Sequence, residues 1–380
     1  QGSSRTPAMA SSSSRASAAT MRLPLLFGHG KYELQKKLGA GCFGEVYSAV
    51  NRETHEVMAV KIEDWTAGYS QLEHEAEVLR NLVRPVGQQG FANIQHLGKE
   101  GKHVFLVMDL LGRSLEDRMQ QCKKFKFRSA VLVAEQVLSR IEYLHSKCII
   151  HRDIKPENFV FGSGGREHIL YLIDFGLSKK YWDKTHVAMR RGMALTGTAR
   201  YVSINAHKGF EQSRRDDLEA IGHMFLYCLR GSLPWSGLDA NSKEEKYRKI
   251  REKKEQTPLP ELCHGYPTAF EVFLTYTRQL GFKERPDYNR LRKLFVDLRK
   301  ELSCIEGRVL EDWSFEWNDG RELPVNFVPL DRPANGFTQP DDSQHQAPRD
   351  DARGGLEAAG PQEGGRRRWC CFCSRKRGDG

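Results

Sequence analysis

The chain predicts an α+β fold of two lobes, a small β-rich one followed by a larger, mainly helical one. Three observations carry this. Residues 31–110 hold strand-like segments, β-branched and aromatic, broken by glycines and polar turns. From about residue 112 the apolar residues recur at helical spacing. The 380 residues suffice for a large core and two subdomains.

Taken in order, residues 1–20 are rich in Ser and Ala and contain no acid, and 1–30 are expected to form a disordered extension, with Met21 as a candidate initiator. No apolar stretch of a secretory signal is visible. Strands are expected at Tyr32 to Leu38, Val46 to Val50, Val57 to Glu63 and His103 to Asp109. Between the last two, Ser70 to Leu82 reads as a helix with Leu72, Ala76 and Leu79 on one side. This small lobe spans about 31–110, and the larger one about 112–330. In the larger lobe, Ser129 to Ser146 repeats Val131, Leu138, Ile141 and Leu144 near a 3.6 period. Ile169 to Ile173 reads as a short buried strand, and Leu218 to Leu229 as an almost wholly apolar, buried helix. From 331 to 380 Pro, Gly, Asp, Gln and Arg dominate. Such a tail has too little apolar surface to offset chain entropy, so it is expected to be disordered.

A mean hydropathy of −0.60 suits a soluble protein, and no apolar run approaches the ~18–20 residues of a membrane span. The net charge of +10 is compatible with nucleic acid, an anionic membrane or an acidic substrate. Nucleic acid is not expected, because no aromatic or helical readers accompany the charge. Cys42, Cys122, Cys148, Cys228, Cys263 and Cys304 are irregularly spaced and read as reduced cytosolic thiols packed as small hydrophobes.

The most informative segment is His151-Arg152-Asp153-Ile154-Lys155-Pro156-Glu157-Asn158. Asp153 can accept the proton of an attacking hydroxyl, Lys155 can steady a transferring phosphate, and Asn158 can hold Mg²⁺. Upstream lies Leu38-Gly39-Ala40-Gly41-Cys42-Phe43-Gly44-Glu45-Val46. It is either a plain hairpin turn or a flap whose backbone lies close over nucleotide phosphates. Lys61, in the apolar strand Met58 to Glu63, either snorkels to solvent or needs a carboxylate partner. Glu73, Glu75 and Glu77 on the following helix can all supply one. Downstream, Asp174 of Ile173-Asp174-Phe175-Gly176 can bridge Mg²⁺ to phosphate oxygens.

Four such segments in this order resemble a eukaryotic protein kinase. The resemblance implies the bilobal kinase fold, ATP and Mg²⁺, selects Glu75 as the partner of Lys61, and places the adenine against the hinge Asp109-Leu110-Leu111 behind gatekeeper Met108. Where most of that superfamily carries Ala-Pro-Glu, this chain has Ser203-Ile204-Asn205. That departure, within Thr196 to His207, together with Glu211 to Glu219, Gly231-Ser232-Leu233-Pro234-Trp235, Leu110 to Asp117 and Arg285-Pro286-Asp287-Tyr288, is similar to the casein kinase 1 family. The likeness runs from about Tyr32 to Trp317. It implies a monomeric Ser/Thr protein kinase whose protein substrates carry an acidic or phosphorylated residue three positions before the acceptor. It also implies an anion site at Arg200, Lys246 and the backbone of Gly237, activity without activation-loop phosphorylation, and an Asp217 bonded to the backbone of His151 and Arg152. Read alone, either cation can be a solvated charge, Lys246 more readily than Arg200, which lies inside the activation segment. A catalytically dead scaffold of the same fold is the alternative; the complete Lys61, Glu75, Asp153, Asn158 and Asp174 set argues against it.

The C-terminal Arg366 to Arg377 stretch combines six cations with Trp369, Phe372, Cys370, Cys371 and Cys373. These cysteines are candidates for S-palmitoylation beside a basic patch, a pairing that can hold a protein at a membrane and that resembles the tail of the gamma-type members of the family. A nuclear signal and a thiolate metal site are the competing readings. The expected location is cytoplasmic, either free or peripheral at a membrane, with the nucleus as the alternative.

Overall fold

The fold is taken from a computed structural model, which describes residues 25–41, 44–65, 70–83, 88–332 and 337. Six antiparallel strands open the chain: β1 (Leu26–Phe27), β2 (Tyr32–Gly41), β3 (Gly44–Asn51), β4 (Val57–Asp64), β5 (Ile94–Glu100) and β6 (His103–Asp109). They form one sheet in the order β1-β2-β3-β4-β6-β5. Helix α1 (Gln71–Leu82) crosses between β4 and β5 in sequence and packs on this sheet. It starts where it does because Ser70 is its N-cap, accepting from the Glu73 amide at 3.1 Å. Glu63, at the end of β4, accepts from the Ser70 hydroxyl at 2.7 Å and the Leu72 amide at 2.9 Å. The strand that carries Lys61 is thereby tied to the head of the helix that carries Glu75, and an acid at a helix N-terminus is favourable in itself.

The second lobe is helical. Its α-helices are α2 (Leu115–Cys122), α3 (Phe127–Ser146), α4 (Ile204–His207), α5 (Arg214–Arg230), α6 (Lys243–Gln256), α7 (Leu259–Leu262), α8 (Thr268–Gln279) and α9 (Tyr288–Glu306). Short strand pairs punctuate the loops between α3 and α4: β7 (Ile149–Ile150), β8 (Phe159–Phe161), β9 (Leu170–Leu172), β10 (Lys179–Lys180), β11 (Trp182–Asp183) and β12 (Thr185–His186). β8 pairs with β9 and β10 with β7, so the segments holding Asp153 and Asp174 are bound to one another. Helices α3 and α5 form the centre, with α9 against α3 and α8 against α5.

The main core joins Leu72, Ala76, Leu79 and Leu82 of α1 to residues of α3 and α5. A separate cluster, including Phe27, Tyr32, Val60 and Phe105, lies on the other side of the sheet. Helix α1 therefore shares its interior with the large lobe.

Three expected boundaries are corrected. The N-terminal extension was expected to reach residue 30, but Leu26 and Phe27 pair with Glu33 and Tyr32, and Phe27 is fully buried against Phe105. Two residues are too few to carry a strand pattern. The tail was expected to be unstructured from 331. Instead the Asp331 amide donates to Gln89 at 2.8 Å, and Phe337 packs edge-on to Tyr143 at 4.9 Å. Helix α5 also starts four residues before Leu218, because its first turn is polar yet buried, with Arg214, Asp216 and Asp217 all inside. The rest of the tail, with Cys370, Cys371 and Cys373, lies outside the described residues, as do Cys42 and Phe43. Among the described residues no helix is long and apolar enough to cross a membrane.

Candidate active site

The β2–β3 hairpin carries the glycine-rich segment. Gly39 faces Val46 and Gly41 faces Gly44 across it. Gly44 is required sterically: its φ is +134°, and a Cβ there would sit 2.1 Å from the Ile62 carbonyl oxygen. Among the described residues nothing lies within 4 Å of a Cβ built at Gly39 or Gly41. Leu38 is half exposed beside them.

Val46 is also registered against Lys61 of β4. The Lys61 ammonium donates to Glu75 at 2.6 Å and to Asp174 Oδ1 at 3.0 Å. Burial opposes the Lys61 charge, but Glu75 and Asp174 outweigh it and hold its pKa above the ordinary lysine value. Burial pushes the Glu75 carboxyl upward, which Lys61 and the Phe175 amide partly offset. Of the three glutamates on α1, Glu75 alone is buried; Glu73 pairs with Lys99 at 3.0 Å on the surface, and Glu77 is exposed.

Asp153 sits opposite, at the foot of β7. Its Oδ1 accepts from Thr198 Oγ1 at 2.8 Å and its Oδ2 from Lys155 Nζ at 2.6 Å. Burial opposes the Lys155 charge, but Asp153 outweighs it and raises the lysine pKa. Asn158 Nδ2 donates to the Asp153 carbonyl at 2.9 Å, which leaves the Asn158 carboxamide oxygen for another partner. Asp174 is held by Lys61 through one oxygen only, and its backbone is left-handed at φ +65°. Burial opposes its charge, but Lys61 outweighs that and holds its pKa below the usual carboxylate value.

The loop itself is fastened from below. Asp217, at the head of α5, accepts from the His151 amide at 2.7 Å, the Arg152 amide at 2.9 Å and His145 Nε2 at 2.9 Å. Burial opposes its charge, yet the His145 bond outweighs it and lowers the pKa. His151 Nε2 meets the Ile173 carbonyl at 3.0 Å, which ties the Asp153 loop to the Asp174 loop. Arg152 donates to the Leu177 carbonyl at 2.7 Å.

Asp109 Oδ2 accepts from the Asn93 amide at 2.9 Å and from its side chain at 2.7 Å, and the Asp109 amide donates to the Asn93 carbonyl at 3.2 Å. The Leu110 carbonyl accepts from Ser163 at 2.8 Å, and Leu111 follows it. Farther off, the Arg200 guanidinium lies 5.4 Å over Tyr227 and 5.7 Å over Tyr201. Gly237 is exposed and left-handed at φ +68°, and Lys246 is exposed on α6. Arg285 is exposed too, and within the helical lobe Glu219 pairs with Arg278 at 3.2 Å.

Thr198 was not among the residues expected here. Its signal was available: it lies in Thr196-Gly197-Thr198, where Gly197 must be left-handed at φ +98° with its α-carbon face against the Arg152 carbonyl.

The donor set suits a magnesium nucleotide. One carboxylate oxygen of Asp174 and the carboxamide oxygen of Asn158 are hard oxygen ligands, and Mg²⁺ characteristically takes one or two protein oxygens and completes its shell with phosphates and water. Among the described residues no cluster of three His, Cys, Asp or Glu forms a closed metal cage. Residues 32–291, more than half of the chain, match the family model described as the protein kinase domain. With its β-rich first lobe, its helical second lobe and the Lys61–Asp174 contact that joins them, the chain belongs to the protein kinase family and is a phosphotransferase that takes ATP.

Proposed function

We propose that this kinase transfers the γ-phosphate of ATP to Ser or Thr of proteins, in the manner of casein kinase 1. The reading is supported above all by one observation. The Lys61–Glu75–Asp174 chain and the Asp153–Lys155–Thr198 cluster are both assembled in this conformation, and His151 and Asp217 tie their loops together. In this reading Lys61, fixed by Glu75, binds the α- and β-phosphates. Asp153 orients the substrate hydroxyl and receives its proton, while Lys155 bears on the phosphate being moved. Leu38, Gly39, Ala40, Gly41, Gly44 and Val46 cover the nucleotide from above, and Asp109 to Leu111 meet the adenine. Asn158 and Asp174 would hold Mg²⁺, which supplies neutralisation of the phosphate charge when bound. Asp174→Asn is expected to abolish transfer to any peptide; retained turnover would refute the metal assignment.

The Ser/Thr and acidic-substrate parts rest on the likeness at Thr196 to His207 and on the chemistry of Arg200, Gly237 and Lys246. Two cations and an open left-handed glycine amide suit a dianionic phosphoserine. A peptide with phosphoserine three residues before its Ser should be turned over faster than its unphosphorylated twin. Equal rates would refute this part. The tail reading, acylation at Cys370, Cys371 or Cys373 with peripheral membrane binding of an otherwise cytoplasmic monomer, is tested by hydroxylamine-sensitive acyl labelling of the full chain in cells. Absence of label together with a wholly soluble fraction would refute it.

A further inference from the structure

The turn Thr198–Val202 carries Arg200 and begins at the residue that bonds Asp153. The Tyr201 and Val202 amides both donate back to the Thr198 carbonyl, at 2.9 and 3.1 Å. This is a single helical turn, and its four following carbonyls have no helix to continue into. Each is met by a side chain. Lys254 Nζ donates to the carbonyls of Ala199 at 3.0 Å and Val202 at 2.6 Å. Trp235 Nε1 donates to Arg200 at 2.8 Å, His223 Nδ1 to Tyr201 at 2.8 Å, and His207 Nε2 to Ala199 at 3.1 Å. A carbonyl only accepts, so both imidazoles carry their protons on these nitrogens.

Lys254 is the member of this set that physical chemistry leaves least room to call incidental. It is wholly buried, with its ammonium 5.4 Å from the Trp235 ring. Burial pulls its pKa well below the ordinary lysine value; Glu219 opposes this and Arg278 adds to it. A methionine would fill the same space without taking an ammonium out of water. What methionine could not do is cap two carbonyls on either side of Arg200.

We infer that Lys254 is a positioning residue for the protein substrate: it fixes the Thr198–Val202 turn, and with it both the Thr198 bond to Asp153 and the base from which Arg200 projects. The inference deepens the proposed function and rests on Asp153 serving the substrate hydroxyl. It separates the two substrates, because the nucleotide-facing residues Lys61, Glu75 and Asp174 make no contact with this turn among the hydrogen bonds described.

The test uses the full chain with Lys254→Met and His207→Ala, assayed with ATP and with the Ser peptide with and without the upstream phosphoserine. For Lys254→Met the peptide kcat/KM is expected to fall by about tenfold or more, as a misplaced acceptor would make it. The KM for ATP should stay within about twofold, since uniform nucleotide binding is untouched. His207→Ala, at a partly exposed site that leaves the core filled, should move the same constants in the same direction by less, and it decides the question if Lys254→Met does not fold. Peptide constants unchanged in the folded variants, or ATP and peptide constants lost in parallel, would overturn the inference. Wild type run on the two peptides reports separately on the acidic-substrate reading: equal rates there refute that reading, while the Lys254 comparison is still decided on the plain peptide.

Discussion

Replacing Glu75 by Gln keeps the shape of the side chain and removes its charge. The carboxylate lies 2.6 Å from Lys61 Nζ, and at an effective dielectric of about 20 that separation corresponds to about 6 kcal/mol of attraction. Measured losses on breaking one side of a buried pair are smaller, about 3–5 kcal/mol, because solvent and neighbours relax. Here the relaxation has an obvious direction. Asp174 is 3.0 Å away on the other side, and Lys61 would close on it. That pulls the ammonium off the phosphates and ties up the oxygen set that should serve the metal. A shift of about 1 Å at such a site costs about a hundredfold in rate, or about 2.7 kcal/mol, which falls within what the broken pair releases. Steady-state kinetics of Glu75→Gln should therefore show kcat down about a hundredfold, with a clear fall in melting temperature. Lys61→Met added to Glu75→Gln should cost little more, because the two act as a unit. A Glu75→Gln enzyme with kcat within about threefold of wild type would refute the reasoning.

Thr198→Val removes the donor to Asp153 Oδ1 and should lower kcat about ten- to a hundredfold with an unchanged KM for ATP, whereas Thr198→Ser should retain most activity; steady-state kinetics of both checks this. Gly44→Ala forces a Cβ against the Ile62 carbonyl at positive φ and should cost about 2 kcal/mol or more in denaturant unfolding, while Gly39→Ala, with no described atom within 4 Å of the new Cβ, should cost under about 1 kcal/mol. His207 gives a pH test. Burial first, then Lys254 and Arg251, pull its pKa from 6.5 to about 3 against the pull of the Ala199 carbonyl. A depressed folded pKa means its contribution is whole above about 6.5 and is lost as pH falls toward about 3. The melting temperature should drop across that window in wild type and drop less in His207→Gln.

Much of the site could be read from the chain because its chemistry is local: Asp153, Lys155 and Asn158 lie within six residues of one another, and the structure keeps them in hydrogen-bond contact. Glu75 was readable with one further step. It stands three residues after Leu72 and four before Leu79, on the stripe that α1 buries, whereas Glu73 and Glu77 do not. Lys254 sat in a run of charges that resembles a solvated helix face, yet it follows Ile250 by four residues, and those two are the buried positions of α6. What no spacing could give was its target, two carbonyls some fifty residues upstream. Strand β5 was missed for a packing reason: Gly98 interrupts its pattern, and a Cβ there would lie 2.4 Å from the Phe105 ring.

The large lobe is not sealed by the span that the family model covers. That span ends at 291, inside α9, whereas Phe315 and Trp317 stack at 4.7 Å and wedge against Phe125 and Phe161 beneath α2 and α3. Glu316 pins the wedge by accepting from the Lys126 amide at 2.9 Å, and its own amide donates to Ser129 at 3.0 Å. A form cleaved before Leu310 would thus lay the faces of Phe125 and Phe161 open to water. Such a fragment would keep every catalytic group and still be prone to clump.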